Sequence, residues 1–111
     1  MGDGRSGYEV HNEYPLLWAE AGRAFWEMKR PDGDFAIFNR SGYTGISAHT
    51  HIMWLGDQLV TFDRNDGLGS VPRLYLSAGL SGIALTHSDI GGYTSFGSSV
   101  RTYELWARWV T

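Results

Sequence analysis

The sequence contains no cysteine. Disulfides, thiolate chemistry and cysteine-based metal centres are therefore excluded, and the redox compartment is left open. Positive charge is also sparse, with nine Lys and Arg against twelve Asp and Glu, a net charge of −3. No electrostatic case exists for a nucleic acid or an anionic membrane surface as partner. The opening residues Met1-Gly2-Asp3-Gly4-Arg5-Ser6-Gly7 are polar and glycine-rich. They are neither a signal peptide nor a membrane span, and residues 1–7 read as a flexible lead-in. With no targeting segment, the default compartment is the cytoplasm.

What is present is a chain of 111 residues, 42% apolar, enough for one small domain with a core. Five Trp, six Tyr and five Phe make it rich in aromatics. Such content suits a sugar-stacking pocket, an ordinary core or an interface.

Asn12 is a plausible cap for a helix over about Glu13 to Met28, with Pro15 tolerated in its first turn. Leu17, Ala21, Ala24, Phe25 and Met28 form an apolar stripe, and Pro31-Asp32-Gly33 forces a turn. A first strand spans Phe35–Asn39; its continuous apolarity predicts burial on both faces, as in a parallel sheet. A central strand ends at Gly56. The segment Phe62–Gly67 is turn-like, and a helix runs from Leu68 to Ala78 with Leu68, Val71, Tyr75 and Ala78 on one side. A third strand covers Ile83–Thr86, and a last helix, about Val100 to Val110, carries Tyr103, Trp106 and Trp109. This order is an α/β pattern with a parallel sheet and right-handed crossovers.

Each strand delivers polar groups at its C-terminal end: Arg40 after the first, Asp57 after the central one, His87-Ser88-Asp89 after the third. Enzymes of alternating strands and helices place catalytic groups this way. Plain structural roles compete. Asp57 also fits a turn or cap, Arg40 a surface ion pair, His87 and Asp89 a loop-securing pair, Trp54 the core and Tyr93 a loop aromatic. Three strands are too few to close a (β/α)8 barrel of roughly 250 residues.

From about Gly7 onward the sequence resembles the catalytic barrel of glycoside hydrolase family 31, the retaining α-glycosidases, most closely the sulfoquinovosidase and bacterial α-glucosidase branch. The motifs that carry the resemblance are Phe38-Asn39-Arg40-Ser41-Gly42, Trp54-Leu55-Gly56-Asp57-Gln58 and His87-Ser88-Asp89-Ile90-Gly91-Gly92-Tyr93-Thr94. Asp66-Gly67-Leu68 and Gly79-Leu80-Ser81-Gly82 lie between them with the family's spacing. The resemblance implies a partial TIM barrel of about three parallel strands, acting on α-glucosides or α-sulfoquinovosides without metal or organic cofactor. It implies Asp57 as general acid/base and Arg40 as a ligand of the sugar. Trp54 would line the pocket, His87 and Asp89 would stand at its floor, and Tyr93 would sit at a sulfonate-binding position. The family's nucleophile is an Asp on the strand before the first helix, which this sequence does not contain, so the isolated chain is expected to show negligible turnover.

Two other classes compete. A metal-dependent barrel hydrolase would join His49 and His51 to Asp57, His87 and Asp89. The histidines precede the central strand whereas the carboxylates leave strand ends, a separation of roughly 16 Å along about five residues. A catalytically inactive fragment or interaction module is the other, with self-association or the missing half of a barrel covering its open edges.

Overall fold

A computed structural model describes residues 2–111 of the chain. The chain divides into two compact units, residues 2–53 and 54–111. Each has its own small core. The expectation of a flexible lead-in over residues 1–7 falls partly on Met1, which lies outside the described residues.

The first unit opens with a short helix that sequence periodicity did not reveal, α1 (Gly7–Val10). A capping box starts it: the Glu9 N–H donates to the Ser6 hydroxyl while the Ser6 N–H donates to the Glu9 carboxylate at 2.8 Å. Arg5 bridges Asp3 and Glu13, at 2.8 and 2.7 Å. Helix α2 (Glu13–Lys29) follows, ending one residue beyond the expected Met28. Asn12 does not cap it. Its backbone is already helical, so its side chain makes no capping hydrogen bond.

The buried side of α2 also differs from the expected stripe. Ala19 is its fully buried residue, while Leu17, Phe25 and Met28 are exposed. Aromatic and aliphatic residues occur around most of the helix, so spacing alone did not single out one face. Leu16 approaches Gly45 next to the 3-10 turn Ile46–Ala48, and Ile46 joins Val10, Ala19 and Ile37 in the core.

Strand β1 (Phe38–Asn39) pairs in parallel with β2 (Ile52–Trp54), Phe38 opposite Ile52 and Asn39 opposite Met53. The expected strand over Phe35–Asn39 is shortened for a definite reason. The Ile37 N–H donates to His51 Nδ1 at 2.9 Å, so an imidazole takes the place of a strand carbonyl. The Ile37 carbonyl in turn accepts from the N–H groups of His51 and Ile52, each at 3.0 Å. Burial on both faces does not hold either, since Phe38 is 50% exposed.

The second unit begins at the end of β2. A tight loop follows, in which Asp63 accepts from the N–H groups of Asn65 (2.8 Å) and Asp66 (2.9 Å). A 3-10 turn, Leu68–Ser70, takes the place of the expected helix start and leads into α3 (Val71–Leu80), with Pro72 in its first turn. The helix turns Val71 and Ala78 inward. Strand β3 is Leu85–His87 rather than Ile83–Thr86. Ile83 spends its N–H on the Ala78 carbonyl at the end of α3, and the ladder starts only afterwards. Leu85 in this strand is exposed.

Helix α4 is Tyr103–Val110, because Thr102 caps it by accepting from the Leu105 N–H at 3.1 Å. Val100 stays outside the helix. The anchor of α4 is Leu105, 1% exposed, whose burial contributes roughly 1.5–3 kcal/mol. Of the aromatic residues read on this helix, Tyr103 is largely exposed and Trp106 about half exposed.

Two predictions concern stability. Gly92 has φ +80°, and a Cβ there would lie 2.7 Å from the Leu59 carbonyl oxygen and 3.0 Å from the Val60 Cα. Gly92→Ala should destabilise the chain by about 1–3 kcal/mol, read as a lower urea midpoint at unchanged slope. Asp63 is exposed, and the N–H groups of Asp66 and then Asn65 hold its carboxyl below the usual carboxylate range. A depressed folded-state value stabilises the loop above the unfolded value of about 3.9, and that contribution is lost as pH falls through the folded value. Asp63→Asn should therefore lower the urea midpoint slightly near neutral pH, where the ionised carboxylate stabilises the loop, converge with the parent chain in acid, and so flatten the fall below about pH 4.

Candidate active site

The second unit carries most of the candidate residues. Trp54 closes β2, half-buried, and Gly56 turns the chain with φ +95°, a conformation that favours glycine. Asp57 follows at once, partly buried. Gln58 fixes this turn: it is 2% exposed, and its side-chain amide donates to the Leu55 carbonyl at 2.6 Å. Leu55 also donates its N–H to the His87 carbonyl at 2.8 Å, so the turn leaves β2 beside the end of β3.

The loop after β3 returns to the same place. The Gln58 carbonyl accepts from the N–H of Tyr93 at 2.8 Å and of Thr94 at 3.0 Å. The Thr94 hydroxyl donates to the Asp57 carbonyl at 3.1 Å, and Leu59 and Thr94 form a parallel bridge. The backbones that carry Asp57 and Tyr93 are thus held together, while the Tyr93 ring is 64% exposed. His87 Nε2 lies 3.4 Å from Asp89 Oδ1. The other Asp89 oxygen, Oδ2, is buried without a protein hydrogen-bond partner, as is Gln58 Oε1. Buried acceptors in that condition are suited to a hydroxyl-bearing ligand or to water.

Two residues hold this loop that sequence reasoning did not single out. Ser88, 5% exposed, accepts from the Trp109 indole N–H at 2.8 Å and lies 3.1 Å from the Tyr75 hydroxyl. Arg101 donates through Nε to the Gly91 carbonyl at 3.1 Å, and through its second terminal nitrogen to the Gly92 carbonyl. Its side chain fills the space that a Cβ on Gly91 would need. Ser88 was visible in the His87-Ser88-Asp89 motif, but nothing local marks a hydroxyl as the partner of two distant helices.

Arg40 belongs to the first unit. It is exposed at the end of β1 and borders a cavity of about 590 Å³ together with His11, Tyr14, Trp18, Phe38 and Asn39. Asn39 Nδ2 is buried there without a hydrogen-bond partner. The three aromatic rings offer flat apolar faces, and Asn39 and Arg40 offer donors, a combination suited to a polyhydroxylated ligand. Sequence reasoning did not single out His11, Tyr14 or Trp18; the spacing of four between Tyr14 and Trp18 on α2 is the one local signal that they share a face.

The histidines of the metal alternative have other tasks. His51 Nδ1 accepts from Ile37, and its ring packs edge-on against Phe35 at 5.6 Å. His49 Nε2 lies 3.7 Å from a Glu20 carboxylate oxygen. Among the described residues, no three His, Asp or Glu side chains gather as a metal-binding group.

Residues 2–111 match the sequence profile described as the glycosyl hydrolases family 31 TIM-barrel domain. A sulfoquinovosidase of Agrobacterium fabrum is 49% identical over 100 residues, which is 90% of this chain and 15% of that protein. A sulfoquinovosidase of Escherichia coli is 40% identical over 107 residues, 96% of this chain and 16% of that protein. Among solved structures, a family 31 sulfoquinovosidase from E. rectale in complex with an aza-sugar inhibitor superposes with a TM-score of 0.89 at 44% identity. That alignment covers 96% of this chain and 16% of the other. The chain thus spans about one sixth of the length of these relatives, a segment of a barrel in α/β order. A profile match over residues 2–111 and a superposition over nearly the whole chain lead to one assignment: the chain belongs to the TIM-barrel domain of glycoside hydrolase family 31.

Proposed function

We propose that the chain contributes the acid/base side of a retaining α-glycosidase site, acting on α-sulfoquinovosides or α-glucosides. The observation that carries this reading is the placement of Asp57. It follows β2 directly, on a turn fixed by Gly56 and Gln58 and bonded to the loop of Asp89 and Tyr93. The sulfoquinovosidase relatives, at 49% and 40% identity, support the substrate class.

In this mechanism Asp57 starts protonated and gives its proton to the glycosidic oxygen as the bond to the anomeric carbon breaks. A second carboxylate, about 5–5.5 Å from the first, attacks that carbon and forms a glycosyl-enzyme. Asp57, now ionised, takes a proton from water. The water oxygen displaces the nucleophile and releases the sugar with its α configuration. The reading assigns the attacking carboxylate to another segment of the barrel, so the chain alone is expected to show negligible turnover. His87 and Asp89 take the role of hydroxyl ligands at the pocket floor, and Trp54 lines its wall. Arg40 binds the sugar, and Tyr93 contacts a sulfonate where the substrate carries one.

A second reading, an association module without turnover, is favoured by one specific observation. Trp18, Met28, Leu76, Leu80 and Phe96 are each at least 66% exposed, more large apolar side chains than an isolated soluble surface ordinarily shows. Sedimentation of the purified chain separates the two readings. A monomer at micromolar concentration counts against association as the chain's own activity.

The acid role is tested by hydrolysis of 4-nitrophenyl α-sulfoquinovoside and an alkyl α-sulfoquinovoside, with the glucosides alongside, in a preparation that also supplies the nucleophile strand. Asp57→Asn should slow the alkyl substrate by about 10²–10⁴-fold. The nitrophenyl substrate, whose leaving group needs no proton, should still yield the glycosyl-enzyme as a burst. Undiminished alkyl hydrolysis by the variant would remove Asp57 from the acid role.

A further inference from the structure

Ser88 sits between the two residues assigned to the pocket floor. In extended backbone, successive side chains leave opposite faces, so His87 and Asp89 share one face and Ser88 takes the other. On the first face, His87 Nε2 and Asp89 Oδ1 meet at 3.4 Å. On the second, Ser88 receives the Trp109 indole N–H at 2.8 Å and faces the Tyr75 hydroxyl at 3.1 Å. An indole N–H only donates, so the Ser88 oxygen must accept from it. The serine hydroxyl hydrogen and the Tyr75 hydroxyl are then left to bond one another. Ser88 is 5% exposed, so solvent does not replace a lost partner.

We propose that Ser88, held between Trp109 of α4 and Tyr75 of α3, is the positioning residue that sets the geometry of the His87–Asp89 pair. The proposal rests on the reading of that pair as pocket-floor residues. Two helices thereby act on the site through a single hydroxyl. Fixing the Ser88 side chain fixes the rotation of the backbone at that residue, and hence the direction in which its neighbours leave. Asp89 is the more constrained of the two, because its carbonyl accepts the Gly92 N–H at 2.8 Å and its Oδ2 is buried. A small rotation at Ser88 therefore moves the carboxylate against His87 rather than dissipating in the loop. A purely structural role would only fasten α4 to β3, and would leave the pair unchanged once the chain is folded.

The test uses the whole chain, labelled for NMR, with the His87 ring and the Asp89 amide as reporters and thermal melting as the check on folding. Trp109→Phe keeps the aromatic bulk and removes the donor. It should shift both reporters and leave the chain folded. Ser88→Ala, which removes this bond and the one to Tyr75, should move the reporters at least as far, and adding Trp109→Phe to Ser88→Ala should change nothing further, since the indole's partner is already gone. Ser88→Thr, which restores a hydroxyl, should return the reporters toward wild type. Trp106→Phe, on the same helix but exposed, should leave them in place. If Trp109→Phe fails to fold, Tyr75→Phe removes the other bond and is read in the same way. Unmoved reporters in a folded Trp109→Phe or Tyr75→Phe variant, or equal shifts in Trp106→Phe, overturn the proposal. No step requires turnover, so a failed hydrolysis assay leaves this result readable. Intact hydrolysis beside unmoved reporters rejects the positioning role alone.

Discussion

Two amide hydrogens, from Tyr93 and Thr94, converge on the carbonyl of Gln58, and the second unit is arranged around that junction. Gln58 is nearly inaccessible, and its own side chain reaches back to the Leu55 carbonyl. The loop after β2 and the loop after β3 therefore cannot move independently, because separating them would leave a buried carbonyl unpaired. Such an orphan costs on the order of 1–3 kcal/mol. Gly92 permits the approach, since any larger residue there would meet the Leu59 carbonyl. Asp57 and Tyr93 take their places from this backbone contact, not from any contact between their own side chains.

The first unit shows the same economy with different groups. An imidazole substitutes for a strand carbonyl: His51 accepts the Ile37 N–H through Nδ1, which leaves its hydrogen on Nε2. Arg23, 3.3 Å from that nitrogen, is then a neighbour and not a donor to it; its firm partner is Glu27, at 2.6 Å. The ring also packs against Phe35, and the Arg23 guanidinium lies 5.5 Å from the Phe35 centroid. Of the His-x-His pair that reads as metal chemistry in one dimension, His51 in three dimensions limits a short strand and His49 lies beside Glu20.

The legible parts of the fold were those set by local chemistry. Helix α2 ran almost as read, because Pro15 and the Pro31-Asp32-Gly33 turn bracket it in sequence. The three polar strand ends were legible for the same reason, each lying just past an apolar run. What stayed hidden depends on partners far along the chain. Ile37 and Ile83 look like strand residues, yet each gives its N–H to a group outside the ladder. Ser88 looks like a small residue in a motif until Trp109, 21 positions later, meets it. Leu105 is less conspicuous than the tryptophans beside it, but α4 buries it because Thr102 fixes where the helix begins.

The Arg101 clamp on Gly91 and Gly92 spans only nine or ten positions of sequence. The bond from Thr94 to the Asp57 carbonyl spans 37. Closing a ten-residue segment takes about 10–100 ns, and chain entropy makes the longer closure the more demanding event. By chain entropy alone, the bend at the two glycines is the less costly of the two closures and the contact with Asp57 the more costly.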